Sequence, residues 1–283
     1  MEFYSYNLDD FRKKRPKWEF MFFRLLDEQN LFFTNDLIRR IRSNDKLGRK
    51  TVVVLPVGPI NYRYFVDLTN TENISLKNLV IFFMDEYSGA DGNFVSKDHP
   101  LSFRRFVEDN FYNLINYKNR MPEEFIIFPN GHNPSETIAK INSFEGIDVT
   151  YGGFGINGHL AFNDPPEETH ELTEENVRFS TVRTVTLPRE TIVQNAMGGT
   201  GGNMDIIPRH AVTLGMKELL SAKEIHLYLI RTWHAGIMRK ALFGPIDPRC
   251  PGSYVQFHNK VRVCMTPEVV ALPKINVTLN IGT

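Results

Sequence analysis

Six short apolar runs recur along the chain and constrain its fold more than any other feature. They are TVVVLP at 51–56, NLVIFFM at 78–84, EFIIFP at 124–129, IDVTYGG at 147–153, EIHLYLI at 224–230 and KVRVCM at 260–265. They are continuously apolar and rich in Val, Ile and Phe, so they read as strands buried on both faces, as in a parallel sheet. Parallel neighbours need long crossovers, and helix-compatible stretches at 60–70, 101–117, 134–143, 215–221 and 234–243 lie between the runs. The alternation predicts an α/β fold, an open and mostly parallel sheet of Rossmann-like type with helices on both sides. The segment 18–44 adds an N-terminal helix, and 164–210 reads as a lid. No internal repeat or long linker divides the chain, so residues 1–283 are expected to form a single domain. At this length roughly 75% of the unfolded surface can be buried, and the core needs no staples.

Charge narrows the partners. Lys+Arg 33 equals Asp+Glu 33, a formal net charge of zero. A chain that tracks a polyphosphate backbone carries a basic excess, so nucleic acid is not an expected partner, while a small anion held by a few local cations is. The run Arg12, Lys13, Lys14, Arg15, Lys17 lies beside Asp9, Asp10 and Glu19 and reads as solvated surface. Cys250 and Cys264 are the only cysteines, too few for a disulfide framework or a thiolate zinc site. The N-terminus has no apolar h-region, and no apolar stretch approaches about 18 residues, so neither secretion nor membrane spanning is expected. A reduced, cytoplasmic setting follows as the expectation. The histidines at 99, 132, 170, 210, 226 and 258 show no metal-ligand spacing, and neither a metal nor a cofactor is expected. Oligomeric state is not fixed by the sequence, and a homo-oligomer is compatible with it.

In an open parallel sheet, ligands bind outside the carboxyl ends of the strands, so the residues just after each apolar run carry the interest. After NLVIFFM comes Asp85-Glu86-Tyr87-Ser88-Gly89, which places two carboxylates at the mouth of an apolar strand. Apolar surroundings raise a carboxylate's pKa, which suits a general base or acid; a helix cap or a surface turn ending at Gly89 is the competing reading. The second junction is GGFGINGHLAFNDPP at 152–166. Gly153, Gly155 and Gly158 spell G-x-G-x-x-G, but Pro165 and Pro166 follow too soon for the long helix of a dinucleotide site. The stretch instead gives a glycine-rich bend where backbone can approach a ligand, with His159 displayed in it and Asp164 five residues on. Gly198-Gly199-Thr200-Gly201-Gly202 follows a helix expected at 188–197 and lacks the Gly-Lys-Ser/Thr of a nucleotide loop, leaving a hinge, a lid edge or a surface loop.

These strings together, MDEYSG (84–89), DHPLSF (98–103), GGFGINGHLAFNDPP and AVTLGMKELLSAKEI (211–225), resemble the glucosamine-6-phosphate deaminase (isomerase) family over roughly residues 20–270. The related 6-phosphogluconolactonases are less similar. The resemblance implies a three-layer α/β/α fold and conversion of glucosamine 6-phosphate and water into fructose 6-phosphate and ammonia. It makes His159 the ring-opening acid–base group, Asp85 the base that moves a proton between C2 and C1, and Asn157 and Asp164 the supports of the histidine. Candidate substrate contacts are Glu86, Gly58, Gly155, Gly158, Arg183 and His234, with Arg231 a further candidate cation at a strand end.

This chain departs from the family pattern at several of those positions. Asn157 and Asp164 stand where well-known members have aspartate and glutamate, so Asn157 can orient the imidazole but cannot stabilise its charge. The usual small-residue phosphate loop is Leu55-Pro56-Val57-Gly58-Pro59-Ile60-Asn61, in which Pro59 offers no N–H, and His234 aligns with a family lysine. Gly244-Pro245-Ile246, Cys250-Pro251 and His258 match a divergent branch of the family that also carries the NGHLAFNDP-like string. Three classes therefore stay open on sequence: an amino-sugar phosphate isomerase and deaminase, a sugar-lactone esterase using His159 without Asp85, and a non-catalytic sugar-phosphate binder.

Overall fold

The structure is a computed structural model that describes residues 1–167 and 169–273. From the N-terminus the chain runs α1 (Leu8–Lys14), β1 (Glu19–Phe22), α2 (Leu26–Lys46), β2 (Thr51–Leu55), α3 (Arg63–Thr71) and β3 (Leu79–Phe83). It continues through β4 (Asp85–Ser88), α4 (Phe103–Asn110), β5 (Ile126–Ile127), α5 (Pro134–Ser143), β6 (Val149–Gly152), α6 (Glu174–Arg178), β7 (Arg183–Thr186) and α7 (Arg189–Gly199). It closes with β8 (His210–Thr213), α8 (Met216–Leu220), β9 (Glu224–Leu229), α9 (His234–Phe243), β10 (Val261–Met265) and α10 (Pro267–Val270).

Each of the six apolar runs forms a strand of one seven-stranded parallel sheet, in the order β1-β10-β9-β6-β2-β3-β5. Alternate side chains of these strands enter two cores. Val52, Val54, Val80 and Phe82 face α8 and α9, while Val53, Leu55, Ile81, Phe83 and Tyr151 face α2 and α3. Helices on both faces make the fold three-layered. Each such side chain, fully withdrawn from water, contributes roughly 1.5–3 kcal/mol before the entropy of ordering it is subtracted.

Strand order reverses between β2 and β6: the chain builds β2, β3 and β5 to one side and β6, β9 and β10 to the other. The crevice outside the carboxyl ends at such a switch point is where an open α/β sheet binds ligands.

Two features depart from the sequence reading. The 18–44 segment is not all helix: EFMF forms β1, an edge strand paired with β10, and the helix starts only at Leu26. The second is a small antiparallel sheet, β4-β8-β7. Met84 hands the chain from one sheet to the other, because its N–H donates to Leu55 O of β2 while its carbonyl accepts from Leu214 N beside β8. The expected lid segment 164–210 is partly drawn into this sheet through β7 and β8. α7, also in that segment, packs Ile192 and Ala196 against Tyr87, Phe162 and Ala211. Among the described residues no helix is long and apolar enough to cross a membrane.

Candidate active site

A cleft of about 1370 Å³ opens at the switch point. Its walls are the segments that follow β2 (Pro56–Ile60), β3 (Met84, Asp85), β6 (Gly153–Ile156) and β9 (Ile230–His234), and α7 covers one side.

Asp85 stands where β3 gives way to β4, and the sheet change at Met84 turns its carboxyl toward the cleft. It is nearly closed to solvent, and burial raises its pKa to about 7. His159 pulls the other way, and the neighbouring carboxylates Glu86 and Asp164 add to the rise. Among the described residues no Lys or Arg pairs with it, so burial and like charge prevail.

His159 faces the same cleft from the bend after β6. Its Nδ1 lies 2.7 Å from Asp164 Oδ1 and 3.0 Å from Asn157 Oδ1. Both are acceptors, so the proton of the neutral ring sits on Nδ1, and Nε2 presents a lone pair with no partner among the described residues. Burial disfavours the imidazolium, but the charge and hydrogen bond of Asp164 outweigh it and the pKa is raised. Asp164 is correspondingly lowered: burial would raise it, and His159, Thr191 and Asn157 overcome that. Asn157 bridges the pair, accepting from His159 N at 3.1 Å and donating Nδ2 to Asp164 Oδ1 at 2.7 Å. Gly155 is required by space, since a Cβ there would lie 2.0 Å from His159 Cε1 and Nε2.

No protein-family model matches the chain. Glucosamine-6-phosphate deaminase of Aliivibrio fischeri (strain MJ11) is 32% identical over 247 residues, which cover 83% of this chain and 86% of that protein. The deaminase of Yersinia enterocolitica is 31% identical over 79% of the chain. The chain belongs to the glucosamine-6-phosphate deaminase family. A solved monomeric glucosamine-6-phosphate deaminase superposes with a TM-score of 0.76 at 26% identity, covering 90% of this chain and 99% of that one. A 6-phosphogluconolactonase from Trypanosoma cruzi, at 13% identity and TM-score 0.64, shares the fold.

Within this deaminase-family site several expected substrate contacts are otherwise engaged. Glu86 is fully buried and points away from the cleft. Its carboxylate accepts from Phe103 N at 2.9 Å, Arg104 N at 2.8 Å and Ser102 Oγ at 3.1 Å, so it caps α4 rather than meeting a ligand. Arg183 donates to Asn163 Oδ1 at 2.8 Å and Thr181 O at 3.2 Å, behind the cleft wall, and burial lowers its pKa. His234 does line the cleft but is not a cation. Its Nδ1 accepts from Ile230 N (2.9 Å) and Arg231 N (3.0 Å), its Nε2–H donates to Phe154 O (3.0 Å), and burial lowers its pKa to about 4.

Gly158 backs away from the cleft as well. At φ +90 a Cβ would meet Cys250 Sγ at 2.5 Å, and its carbonyl accepts from Gly252 N at 2.7 Å. The Cys250-Pro251 stretch thus buttresses the histidine bend from behind. Gly58 and Arg231 do line the cleft.

Two residues of the site, one on the cleft rim and one buried behind it, escaped the sequence reading. Arg189 opens α7 on the cleft rim and, like Arg231, is exposed and forms no ion pair among the described residues. Thr191, two residues on in the first turn, donates Oγ1 to Asp164 Oδ1 at 2.5 Å. A signal for α7 existed: Thr191, Gln194 and Asn195 place three polar side chains at i, i+3 and i+4, one face of a predicted helix. Among the described residues no group of three His, Cys, Asp or Glu side chains is arranged to hold a metal.

Proposed function

We propose that the chain converts an amino-sugar phosphate of the glucosamine 6-phosphate type, with water, into the ketose phosphate and ammonia. The observation that supports this most directly is the pairing of two differently prepared proton carriers across one cleft. Asp85 is a carboxylate with its pKa raised to about 7, and His159 is an imidazole with Nδ1–H committed and Nε2 open.

In this reading His159 Nε2 takes the proton of the anomeric hydroxyl and returns one to the ring oxygen, opening the pyranose. Asp164 steadies the imidazolium that forms meanwhile. Asp85 then removes the C2 proton, and the enolamine accepts a proton at C1 to become a ketimine. Water adds at C2, and the amino group leaves as ammonia. Each positioned acid–base group supplies about 10²- to 10⁴-fold of the rate.

The family's phosphate lysine is the neutral His234 here, so we assign the phosphate to Arg231 and Arg189 on the cleft rim, with the backbone at Gly58 beside them. A guanidinium stays charged across the working pH range and binds phosphate through a planar fork.

The test is an assay of ammonia and fructose 6-phosphate released from glucosamine 6-phosphate, with 6-phosphogluconolactone hydrolysis run in parallel. Stoichiometric ammonia and ketose, absent in Asp85→Asn and His159→Ala, is the expected result. Lactone hydrolysis that survives Asp85→Asn, with no ammonia from the wild type, would overturn the reading.

A further inference from the structure

Thr191 lies outside every string that carries the family resemblance, yet it reaches the centre of the site. It sits in the first turn of α7 and is fully buried. A helical threonine commonly turns its hydroxyl back to the carbonyl of the preceding turn. Here Oγ1 lies 2.5 Å from Asp164 Oδ1 and 3.2 Å from His159 Nδ1. Asp164 Oδ1 thereby receives three donors, Asn157 Nδ2 and His159 Nδ1 at 2.7 Å each and Thr191 Oγ1 at 2.5 Å. Asp164 Oδ2 is buried with no partner among the described residues. One oxygen therefore carries all of Asp164's support of the imidazole, beside the longer contact to Asn157 Oδ1, and Thr191 is the donor that comes from a different element.

The same face of α7 holds the cleft wall twice more. Gln194 Oε1 accepts from Ile156 N at 2.6 Å, beside the histidine bend, and Asn195 Nδ2 donates to Tyr87 OH at 2.8 Å, two residues beyond Asp85. These contacts fix the height and rotation of the helix that presents Thr191.

We propose that Thr191 is a positioning residue that couples helix α7 to the ring-opening imidazole, acting through Asp164 Oδ1. This rests on the ring-opening role given to His159 above. The charged groups around His159 are Asp164 from its own bend and Asp85 from β4, with Glu86 acting through Asp85 and Arg183 of β7 acting on Asp164. α7 brings only the neutral hydroxyl to the ring itself. Removing that hydroxyl leaves Asp164 Oδ1 with two donors and more negative charge to offer the imidazolium, so the histidine should hold its proton to higher pH.

The experiment compares wild type, Thr191→Val and Thr191→Ser by NMR titration of the His159 ring in the unliganded full chain, and by kcat and KM across pH. Thr191→Val should move the His159 midpoint upward by about half a pH unit and lower kcat about 10-fold, with KM changed less than about 3-fold. Thr191→Ser should restore both. If Val lowers the folded fraction, Thr191→Ala, which adds no atoms, takes its place. An unmoved His159 titration, or a serine variant as impaired as the valine one, would show mere packing and overturn the proposal. A titration that responds in a chain releasing no ammonia would leave the coupling standing and sink the deaminase reading instead.

Discussion

Asp36 and Asp85 are both nearly closed to water, at 5% and 7% exposure, and their carboxyls titrate in opposite directions. Asp36, on α2 behind the sheet, accepts from Arg39 at 2.5 Å, Arg40 at 2.9 Å, Tyr151 OH at 2.7 Å and Arg262 at 3.2 Å. Burial alone would raise its pKa, but Arg40 and its neighbours hold it well below the ordinary carboxylate range. Asp85 has comparable burial and, among the described residues, no such cation, and it rises to about 7. Burial makes a carboxylate costly to ionise; whether it becomes a base or an anchor depends on which charges share its pocket. In this fold the anchor ties α2 to β10 and β6, and the proposed base sits at the sheet's mouth.

The contrast can be broken at either end. Asp85→Asn should lower ammonia release by about 10³-fold or more, because an amide cannot take up the C2 proton. The same change should raise stability at pH 8. With its folded pKa above the unfolded value, Asp85 binds more protons in the native state, so native stability falls as pH rises from about 4 through about 7, and asparagine escapes that loss. The gain should be on the order of a few kcal/mol, vanish below about pH 4, and be measured by chemical denaturation at both pH values.

Asp36→Asn should do the reverse, destabilising the chain by about 3–5 kcal/mol because Arg40 and Arg262 lose their buried counter-charge. The depressed pKa of Asp36 makes its contribution present at neutral pH and lost only as the solution becomes strongly acidic, so the deficit should shrink there. Turnover per folded molecule should stay within about 3-fold of wild type. Gly155→Ala tests the site's geometry: the new Cβ would collide with the His159 ring, and kcat should fall about 10²-fold with the fold retained on circular dichroism. The smallest effect is expected from Glu86→Gln. Glu86 helps raise Asp85, so neutralising it should move the acid limb of the rate profile downward by a fraction of a pH unit.

The sheet was legible because its strands are buried on both faces and so announce themselves as apolar runs. β4 was not, since Asp85-Glu86-Tyr87-Ser88 is polar in sequence and yet wholly buried, its burial supplied by β8 and α4. β1 was hidden for the opposite reason: it is a short edge strand with Glu19 and Phe22 exposed, and its apolar pattern merges into that of α2. α1 did carry a local signal, since Asn7 accepts from Asp9 N and Asp10 N as an N-cap, beneath a basic run that read only as surface.

At the site, Asp85 and His159 stand in strings long enough to read, whereas proton state and partnership do not show in a string. His234, read from the sequence as standing in a lysine's place, spends both nitrogens on backbone, and Glu86 spends its oxygens on α4. Thr191 comes within reach of Asp164 only through α7's packing on the small sheet, which no local pattern encodes.

The pH dependence of kcat/KM for ammonia release from glucosamine 6-phosphate, with Asp85→Asn as control, bears most directly on the claim that Asp85 is a buried base with no cation paired to it among the described residues. The account predicts a rising limb with its midpoint at about 7, and no turnover above background in the variant. A profile flat down to about pH 5, or a variant that keeps wild-type turnover, would contradict it.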